Sequence, residues 1–350
     1  MPSKVTISDV ASKAGVSPSS VSNYLNNREG QMRPLTREKI ELTISELGYI
    51  PNRAAQQLKT GYSPVLGLIV PSVANPFFGV FARHIENAAL KLGFKVFLGN
   101  SERSPELERS YVSELWGYGV KGIILGSSLT SLDHLNDFIE QGLHVMVFDR
   151  PGARGHDIPV DSISVDNMNA ARLATRHLLS LGHRRIGFLS GSIQSINRMD
   201  RLEGYRTALQ ETGIEPDPTL VWEGIHSQPQ FGDTEAIELG RIGTQQLLNS
   251  ANPPTAIFAI NDMYAFGAYA GANDLGISIP DQLSVIGFDD IILTQVVQPP
   301  LTTIKQPIRE MSRIAVERMV GRVQGTVTGP VVHQSLHADL IVRASTARKS

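Results

Sequence analysis

The run Ser17-Pro18-Ser19-Ser20-Val21-Ser22-Asn23 places four hydroxyls and one carboxamide on a single short segment. Serine hydroxyls bond phosphates or base edges with little discrimination, whereas an asparagine amide can bond adenine at two points. That is recognition chemistry. The patterns that would signal covalent catalysis or metal use fail one by one. The 350 residues contain no cysteine, which removes disulfides, thiolate metal sites and cysteine nucleophiles together. His333 and His337 stand four apart, but the intervening Gln334-Ser335-Leu336 lacks the glutamate of a zinc-protease motif and alternates like a strand. No GxSxG elbow and no P-loop occurs. Gly117-Tyr118-Gly119-Val120-Lys121-Gly122 spells GxGxxG, yet a helical stretch precedes it and the strand-like Gly122–Leu125 follows, the reverse of the dinucleotide-binding order. The expectation is a binding protein and not an enzyme, with no catalytic residue, no metal and no cofactor.

The elements that position the serine-rich run are legible. Thr6 is an N-cap with Asp9 three residues on, and Ile7, Val10, Ala11 and Ala14 recur at helical spacing. Gly15-Val16 breaks that helix. Ser17 then caps a second helix through Leu25, with Pro18 at its first position and Val21 and Leu25 on one face. A third helix, Thr36–Leu47, supplies Ile40, Ile44 and Leu47 to close a small core. Short helix, glycine turn and second helix make a helix-turn-helix, which sets the start of its second helix against bases in the major groove. Candidate DNA contacts are therefore Ser17, Pro18, Ser19, Ser20, Ser22 and Asn23, with Thr6 added at the start of the first helix. Charge agrees: residues 1–62 carry a net +3 inside a chain whose total is −2, so the remainder is −5.

The body is of a different kind. Composition, with 41% hydrophobic and 19% charged residues, is that of a soluble globular chain, and the length asks for two or three domains. The charge-free stretch Thr60–Ala82 has the length of a membrane span, but Pro64, Pro71 and Pro76 interrupt it. The N-terminus lacks the apolar core of a secretory signal, so a cytoplasmic protein without membrane contact is expected. From Val65 onward, apolar runs alternate with amphipathic segments, the signature of parallel α/β units. Expected strands are Val65–Val70, Lys95–Leu98, Gly122–Leu125, Val145–Phe148, Ser162–Val165, Ile186–Leu189, Ala256–Ile260 and Val285–Phe288. Helices lie between them, including Arg201–Thr212, and a Pro-rich stretch at 298–304 leads to the helix Ile308–Val323 and one strand-like segment, Val331–Val342. Two consecutive open sheets, dividing near 162–166, would face each other across a cleft beyond their strands' carboxyl ends.

The ordered motifs carry a family resemblance. Thr6-Ile7-Ser8-Asp9-Val10-Ala11, Ala14-Gly15-Val16-Ser17, Val21-Ser22, Leu25-Asn26, Thr36-Arg37, Gly48-Tyr49, Pro51-Asn52, Ala54-Ala55 and Leu58 together resemble the LacI/GalR family of bacterial transcription repressors. The likeness continues through Asn75-Pro76-Phe77-Phe78, Asp166-Asn167, Arg201-Leu202-Glu203-Gly204-Tyr205, Asn261-Asp262, Gly287-Phe288-Asp289 and Pro300-Leu301-Thr302-Thr303-Ile304. It implies an all-α helix-turn-helix headpiece (1–50), a hinge helix (51–61) and an α/β core of two doubly wound parallel-sheet subdomains, similar to periplasmic binding proteins. The chain would cross between subdomains near 162–166, 291–296 and 325–330, giving 62–162 plus 296–326 and 163–292 plus 327–345. It also implies a homodimer on near-palindromic operator DNA. The hinge, too short to be a stable isolated helix, would enter the minor groove through Asn52, Arg53, Ala55 and Lys59, with Leu58 as an apolar wedge.

The same resemblance nominates effector-binding residues for a small molecule, sugar-like or nucleobase-like. Asp289 matches the family's ligand-binding acid, and Phe77 and Phe78 match its aromatic position. Asp149, Asn261 and either Arg198 or Arg201 are further candidates, with helix or turn capping as the other reading for Asp149 and Asn261 and a structural role as the other reading for Arg201. His226 stands where the family usually has an aromatic residue, and an insertion follows within Ser227–Thr234. That segment either reshapes the pocket mouth or is a plain surface loop. Induction and corepression both fit such a protein. A cytoplasmic ligand-binding protein related to sugar-transport receptors is the alternative, and the headpiece argues against it.

Overall fold

Thr6 opens α1 (Ile7–Ala14) with a reciprocal cap: the Asp9 amide donates to Thr6 Oγ1 at 3.3 Å, and the Thr6 amide donates to Asp9 Oδ2 at 2.8 Å. Gly15 ends that helix in the left-handed conformation, φ +66°, which glycine adopts without strain. Ser17 starts α2 (Pro18–Leu25), its Oγ accepting from the Ser20 amide at 3.1 Å. With α3 (Pro34–Leu47), these helices bury Val10, Ala11, Ala14, Val21 and Ile40 around one small core. The structure, a computed structural model, describes residues 5–25, 32–50, 62–126, 129–150, 160–224 and 235–349. It divides into two units, Met1–Ser63 and Pro64–Ser350.

The second unit holds two six-stranded sheets. In the first, β1 (Val65–Val70), β2 (Lys95–Asn100), β3 (Gly122–Leu125), β4 (His144–Phe148) and β5 (Asp161–Val165) are joined by β11 (His333–Leu336) from the far end of the chain, in the order β11-β5-β4-β3-β1-β2. In the second, β6 (Ile186–Gly191), β7 (Val221–Gly224), β8 (Ala256–Ala259), β9 (Ser284–Asp289) and β10 (Thr302–Lys305) pair with a last strand, β12 (Asp339–Ile341), in the order β12-β10-β9-β8-β6-β7. All pairings are parallel except β10 with β12. Nearly unbroken burial along β1, β3, β5, β6 and β8 is what sheets covered on both faces require.

Three features correct the sequence reading. Val331–Val342 is not one strand but two, β11 (His333–Leu336) in the first sheet and β12 (Asp339–Ile341) in the second. Thr302–Lys305 is a strand of the second sheet, whereas the following helix Ile308–Val323 packs on β3, β4 and β5 of the first. The chain therefore crosses at 166, at 306–307 and at 337–338. The second and third crossings expected at 291–296 and 325–330 are displaced, and 296–305 and 333–336 change subdomain. Two-residue links suffice because β5 and β11 end side by side, the Asp166 amide donating to the Leu336 carbonyl at 3.0 Å. Finally, the helix expected from Arg201 begins five residues earlier and spans Ile196–Gln210.

The GxGxxG stretch is the turn its order suggested. Gly117 ends a helix (Pro105–Gly117) and Gly119 has φ +75°. A side chain on Gly122 would collide with Met319 and Val323 of the helix above it.

Asp161 pins that helix to β5. Its carboxylate pairs with Arg318 at 2.7 Å and Arg322 at 2.9 Å and accepts from the Val332 amide at 2.7 Å. Burial alone pushes this carboxyl up, but the bonds from Arg322, Val332 and Arg318 outweigh it and hold it below the usual carboxylate range. As pH falls, the unfolded chain takes up the proton first, so this stabilisation is complete above the usual range and is lost as pH drops through the depressed value. Asp161→Asn should destabilise the protein by about 2–3 kcal/mol at pH 7. In thermal melts the gap to wild type should close on acidification, and a gap independent of pH would contradict the assignment.

Candidate functional site

In the helix-turn-helix, Pro18, Ser19 and Asn23 are exposed, and Ser20 and Ser22 are half-buried. Ser17 and Ser20 are engaged with each other, their hydroxyls 2.9 Å apart. Thr6 is exposed, and its hydroxyl donates to Asp9 Oδ2 at 2.7 Å. Pro18, Ser19 and Asn23 therefore present the accessible edge of α2. Asn52, Arg53, Ala55, Leu58 and Lys59 lie outside the described residues, as does His226.

The second site is built where strands of both sheets end. Asp149, directly after β4, has φ +61°, while Asp289 at the end of β9 and Asp290 beside it have φ +123° and +55°. Backbone strain of this kind on non-glycine residues collects at functional sites. Asp149 caps none of the described helices. Its Oδ1 accepts from Asn167 Nδ2 at 3.0 Å, and its Oδ2 accepts from Asn197 Nδ2 at 2.5 Å. Asn197 stands on Ile196–Gln210, which packs on the second sheet's side, so this carboxylate joins the two subdomains.

Arg201 holds the group together. It is only 4% exposed. Nε donates to Asn167 Oδ1 and Nη1 to the Ile260 carbonyl, each at 2.8 Å. Its guanidinium lies 3.5 Å from the centroid of the Phe288 ring, and Nη2 is 3.8 Å from Asp149 Oδ2. One cation thus ties together the ends of β4, β8 and β9. Arg198 is spent differently, Nη1 donating to the Ser192 carbonyl at 2.8 Å.

Asn261 is an N-cap, accepting from the Tyr264 amide at 3.1 Å. The next residue, Asp262, is 1% exposed and accepts from Thr303 Oγ1 at 2.6 Å and the Ile291 amide at 3.0 Å. Burial pushes its carboxyl well above the usual range, and the charge of Asp289 adds to the effect. Asp289 Oδ1 in turn accepts from Gln306 Nε2 at 2.8 Å. Phe77 and Phe78 are buried in the first turn of the helix Pro76–Lys91, their rings edge to face at 5.1 Å. Asn75 caps that turn by accepting from the Phe77 amide at 3.0 Å.

Sequence reasoning missed several participants. In the sequence Asn167 stands out only as part of the Asp166-Asn167 motif, and nothing singles out Asn197. Gln306 sits at the second crossing, 4% exposed with Oε1 unpartnered, and was hidden because β10 was not foreseen. Ser190, fully buried near the end of β6, also has an unpartnered hydroxyl. No sequence pattern marks these residues, since burial alone separates them from ordinary surface polar groups.

Comparison with known proteins matches this two-part layout. Residues 6–52 match the model for bacterial regulatory proteins of the lacI family, and 175–346 match a periplasmic binding protein-like domain. The HTH-type transcriptional regulator DegA of Bacillus subtilis (strain 168) is 35% identical over 344 residues, 98% of each chain. The lac repressor dimer bound to operator and the anti-inducer ONPF superposes with a TM-score of 0.80 at 31% identity, covering 99% of this chain and 100% of that one. The transcriptional regulator CelR-cellobiose complex does so with a TM-score of 0.71 at 30% identity, covering 97% and 99%. Among the described residues no helix is long and apolar enough to cross a membrane. With a DNA-reading head and a ligand-binding core in that order, this chain belongs to the LacI family of bacterial regulatory proteins and is a transcriptional regulator.

Proposed function

We propose that this protein is a cytoplasmic repressor that binds a near-palindromic operator as a homodimer and is switched by a small, sugar-like effector in the cleft between its core subdomains. The observation that carries the reading is the Asp149–Asn197 bond, because it joins the two subdomains at the carboxyl ends of their strands. A ligand that binds there can favour one relative orientation, and it shifts DNA affinity only through its differential affinity for the two states. Asp149 and Asp289 offer carboxylates to ligand hydroxyls, Phe77 and Phe78 offer an aromatic wall, and Asn261 and Gln306 add amides. Arg201 acts as a positioning residue and Arg198 supports the loop at Ser192. The cellobiose in CelR supports a sugar, and the operator-bound lac repressor dimer supports two-fold pairing on DNA.

In the head, Pro18, Ser19, Ser20, Ser22 and Asn23 read the half-site, Thr6 and Ser17 contact phosphates, and residues 51–61 form the hinge. Selection of binding sites from random DNA by the full-length protein should return a two-fold symmetric sequence, whose affinity falls with salt and changes at least about tenfold with an effector sugar. Retention of DNA without sequence preference would overturn the reading. Leu58→Ala should weaken binding to the selected site by about tenfold, in line with loss of an apolar wedge, without changing ligand-induced thermal shifts. Equal operator affinity at matched salt would remove Leu58 from the interface.

A further inference from the structure

After β12 the chain runs on through residues 343–349 as an irregular strap tied to the second sheet. The Ser345 hydroxyl accepts from the Thr302 amide at 2.7 Å and donates to the Val285 carbonyl at 2.6 Å. The Ala347 amide donates to Ser284 Oγ at 3.1 Å, and the Lys349 amide donates to the Leu181 carbonyl at 2.9 Å.

Two histidines clasp this strap. His183 is 3% exposed; Nδ1 meets Thr255 Oγ1 at 2.8 Å, and Nε2 meets Ser284 Oγ at 3.0 Å and the Ala347 carbonyl at 3.1 Å. A carbonyl only accepts, so Nε2 carries the proton and Nδ1 of the neutral ring accepts from the Thr255 hydroxyl. His177, half-buried on the helix Asn167–Ser180, bonds Thr346 Oγ1 at 2.9 Å.

Among the described residues no carboxylate bonds either ring. The strand starts contribute only the uncharged Thr255 and Ser284, the strap contributes Lys349, and the rings face each other. Nearby arginines are turned elsewhere: Arg176 to Glu211, Arg184 to the Leu179 carbonyl and Arg185 to Asp217. For His183, burial outweighs the bond to Ala347 and the charge of Lys349 adds to it, holding the ring below the ordinary histidine range. Burial, joined by the charge of His183, does the same for His177. With the strap lifted, both rings meet water and regain ordinary basicity. The open form therefore binds more protons, so closure is complete above about pH 6.5 and weakens as pH falls below it.

The strap begins at a brace on the candidate effector site. Arg343 Nη2 pairs with Asp290 Oδ1 at 2.5 Å, and Nη1 donates to the Leu301 carbonyl at 2.7 Å and Thr294 Oγ1 at 3.1 Å. Its amide donates to Thr302 Oγ1, which also meets Thr346 Oγ1 at 3.3 Å. Asp290 is the left-handed residue beside Asp289, so Arg343 supports the turn that carries that acid.

We propose that residues 343–349 form a latch, clasped by His177 and His183, that opens on mild acidification and releases the Asp289–Asp290 turn. Its effect on effector affinity rests on the cleft being the effector site, whereas the latch itself does not.

Amide hydrogen exchange read by mass spectrometry tests this on the full-length protein, His177→Gln and the double variant His177→Gln/His183→Gln, from pH 7.5 to 5.5 with rates corrected for their intrinsic pH dependence. Glutamine keeps a donor and an acceptor but does not titrate. In wild type, exchange over 343–349 should rise at least about tenfold across that interval, the gain from one histidine charged only in the open form. Residues 289–294 should follow, while Val65–Val70 of the first sheet stays protected. The double variant should show no such rise and His177→Gln a smaller one, which decides the matter if the double variant does not fold. Arg343→Met should speed exchange over 289–294 already at pH 7.5. A flat wild-type profile, or equal rises in all three proteins, would overturn the latch. So would loss of protection throughout the second sheet at the same pH, which is unfolding. Opening of 343–349 with 289–294 unchanged would overturn the coupling to the turn. Neither sugar nor DNA enters the measurement, so these failures leave the cleft reading standing, and failure of that reading leaves the latch.

Discussion

Arg201→Met should destabilise the core by about 3–5 kcal/mol, the range expected when one partner of a buried charged network is removed. The substitution keeps most of the side chain's length and apolar contact, so the loss isolates the guanidinium. Two buried acceptors, Asn167 Oδ1 and the Ile260 carbonyl, would lose their donor together, and Asp149 would lose the cation 3.8 Å from its Oδ2. The stacking over Phe288 goes as well. Because the affected atoms belong to the ends of β4, β8 and β9, the change should also loosen the arrangement that presents Asp149 and Asp289. Urea unfolding followed by circular dichroism gives the stability change, and ligand-induced melting shifts give the effect on the cleft. A loss below about 1 kcal/mol, the size of an ordinary substitution, would show that Asn167 and Asn197 hold Asp149 unaided.

Gly204→Ala should be nearly as damaging, at about 3 kcal/mol. A Cβ at this position would fall on the Met168 carbonyl oxygen and stand 2.9 Å from Ala171 Cβ. Both obstacles are backbone or the first side-chain atom of the helix Asn167–Ser180, so no rotamer change relieves them. The helices Asn167–Ser180 and Ile196–Gln210 would have to move apart, carrying Asn167 away from Arg201 and Asn197 away from Asp149. Gly117→Ala is the matched control, since its added methyl meets nothing within 4 Å and Gly117 only ends a helix. Its effect should stay within about 0.5 kcal/mol. Parallel melts of the two variants settle the comparison, and equal melting temperatures would contradict the close helix contact.

These two variants explain a motif that the sequence presents only as a string. In Arg201-Leu202-Glu203-Gly204-Tyr205, the arginine ties three strand ends together and the glycine lets two helices touch. The tyrosine hydroxyl donates to the Ile186 carbonyl at 2.7 Å, at the start of β6. One helix therefore serves the strand ends, the neighbouring helix and the sheet.

The head was legible almost to the residue, because caps and glycine turns act within three or four positions. Thr6 with Asp9, Ser17 with Ser20 and Gly15 are such local signals. The strand–helix alternation was legible for the same reason: Val65–Val70 and Gly122–Leu125 are apolar runs with clear edges. Among the site residues, Asp149 and Asp289 stand where expected, at strand ends. Asn261 caps a helix, and Arg201 bonds Asn167 and the Ile260 carbonyl.

What the sequence could not supply is which distant segments meet. Val331–Val342 reads as one alternating strand, and only pairing with β5 on one side and β10 on the other divides it. Ser162 and His333, 171 positions apart, are hydrogen-bonded at 2.8 Å because β11 returns to the first sheet. Arg150 shows the same limit at a single side chain. In sequence it is a charge after an aspartate, and only the fold buries it with no acidic partner among the described residues. Caps, turns and periodicity depend on neighbours along the chain, so the amino-acid sequence by itself determined the head, the α/β alternation and the family. Sheet membership, the three crossings and the fate of each buried charge depend on groups far apart in the chain, and the tertiary structure alone decided them.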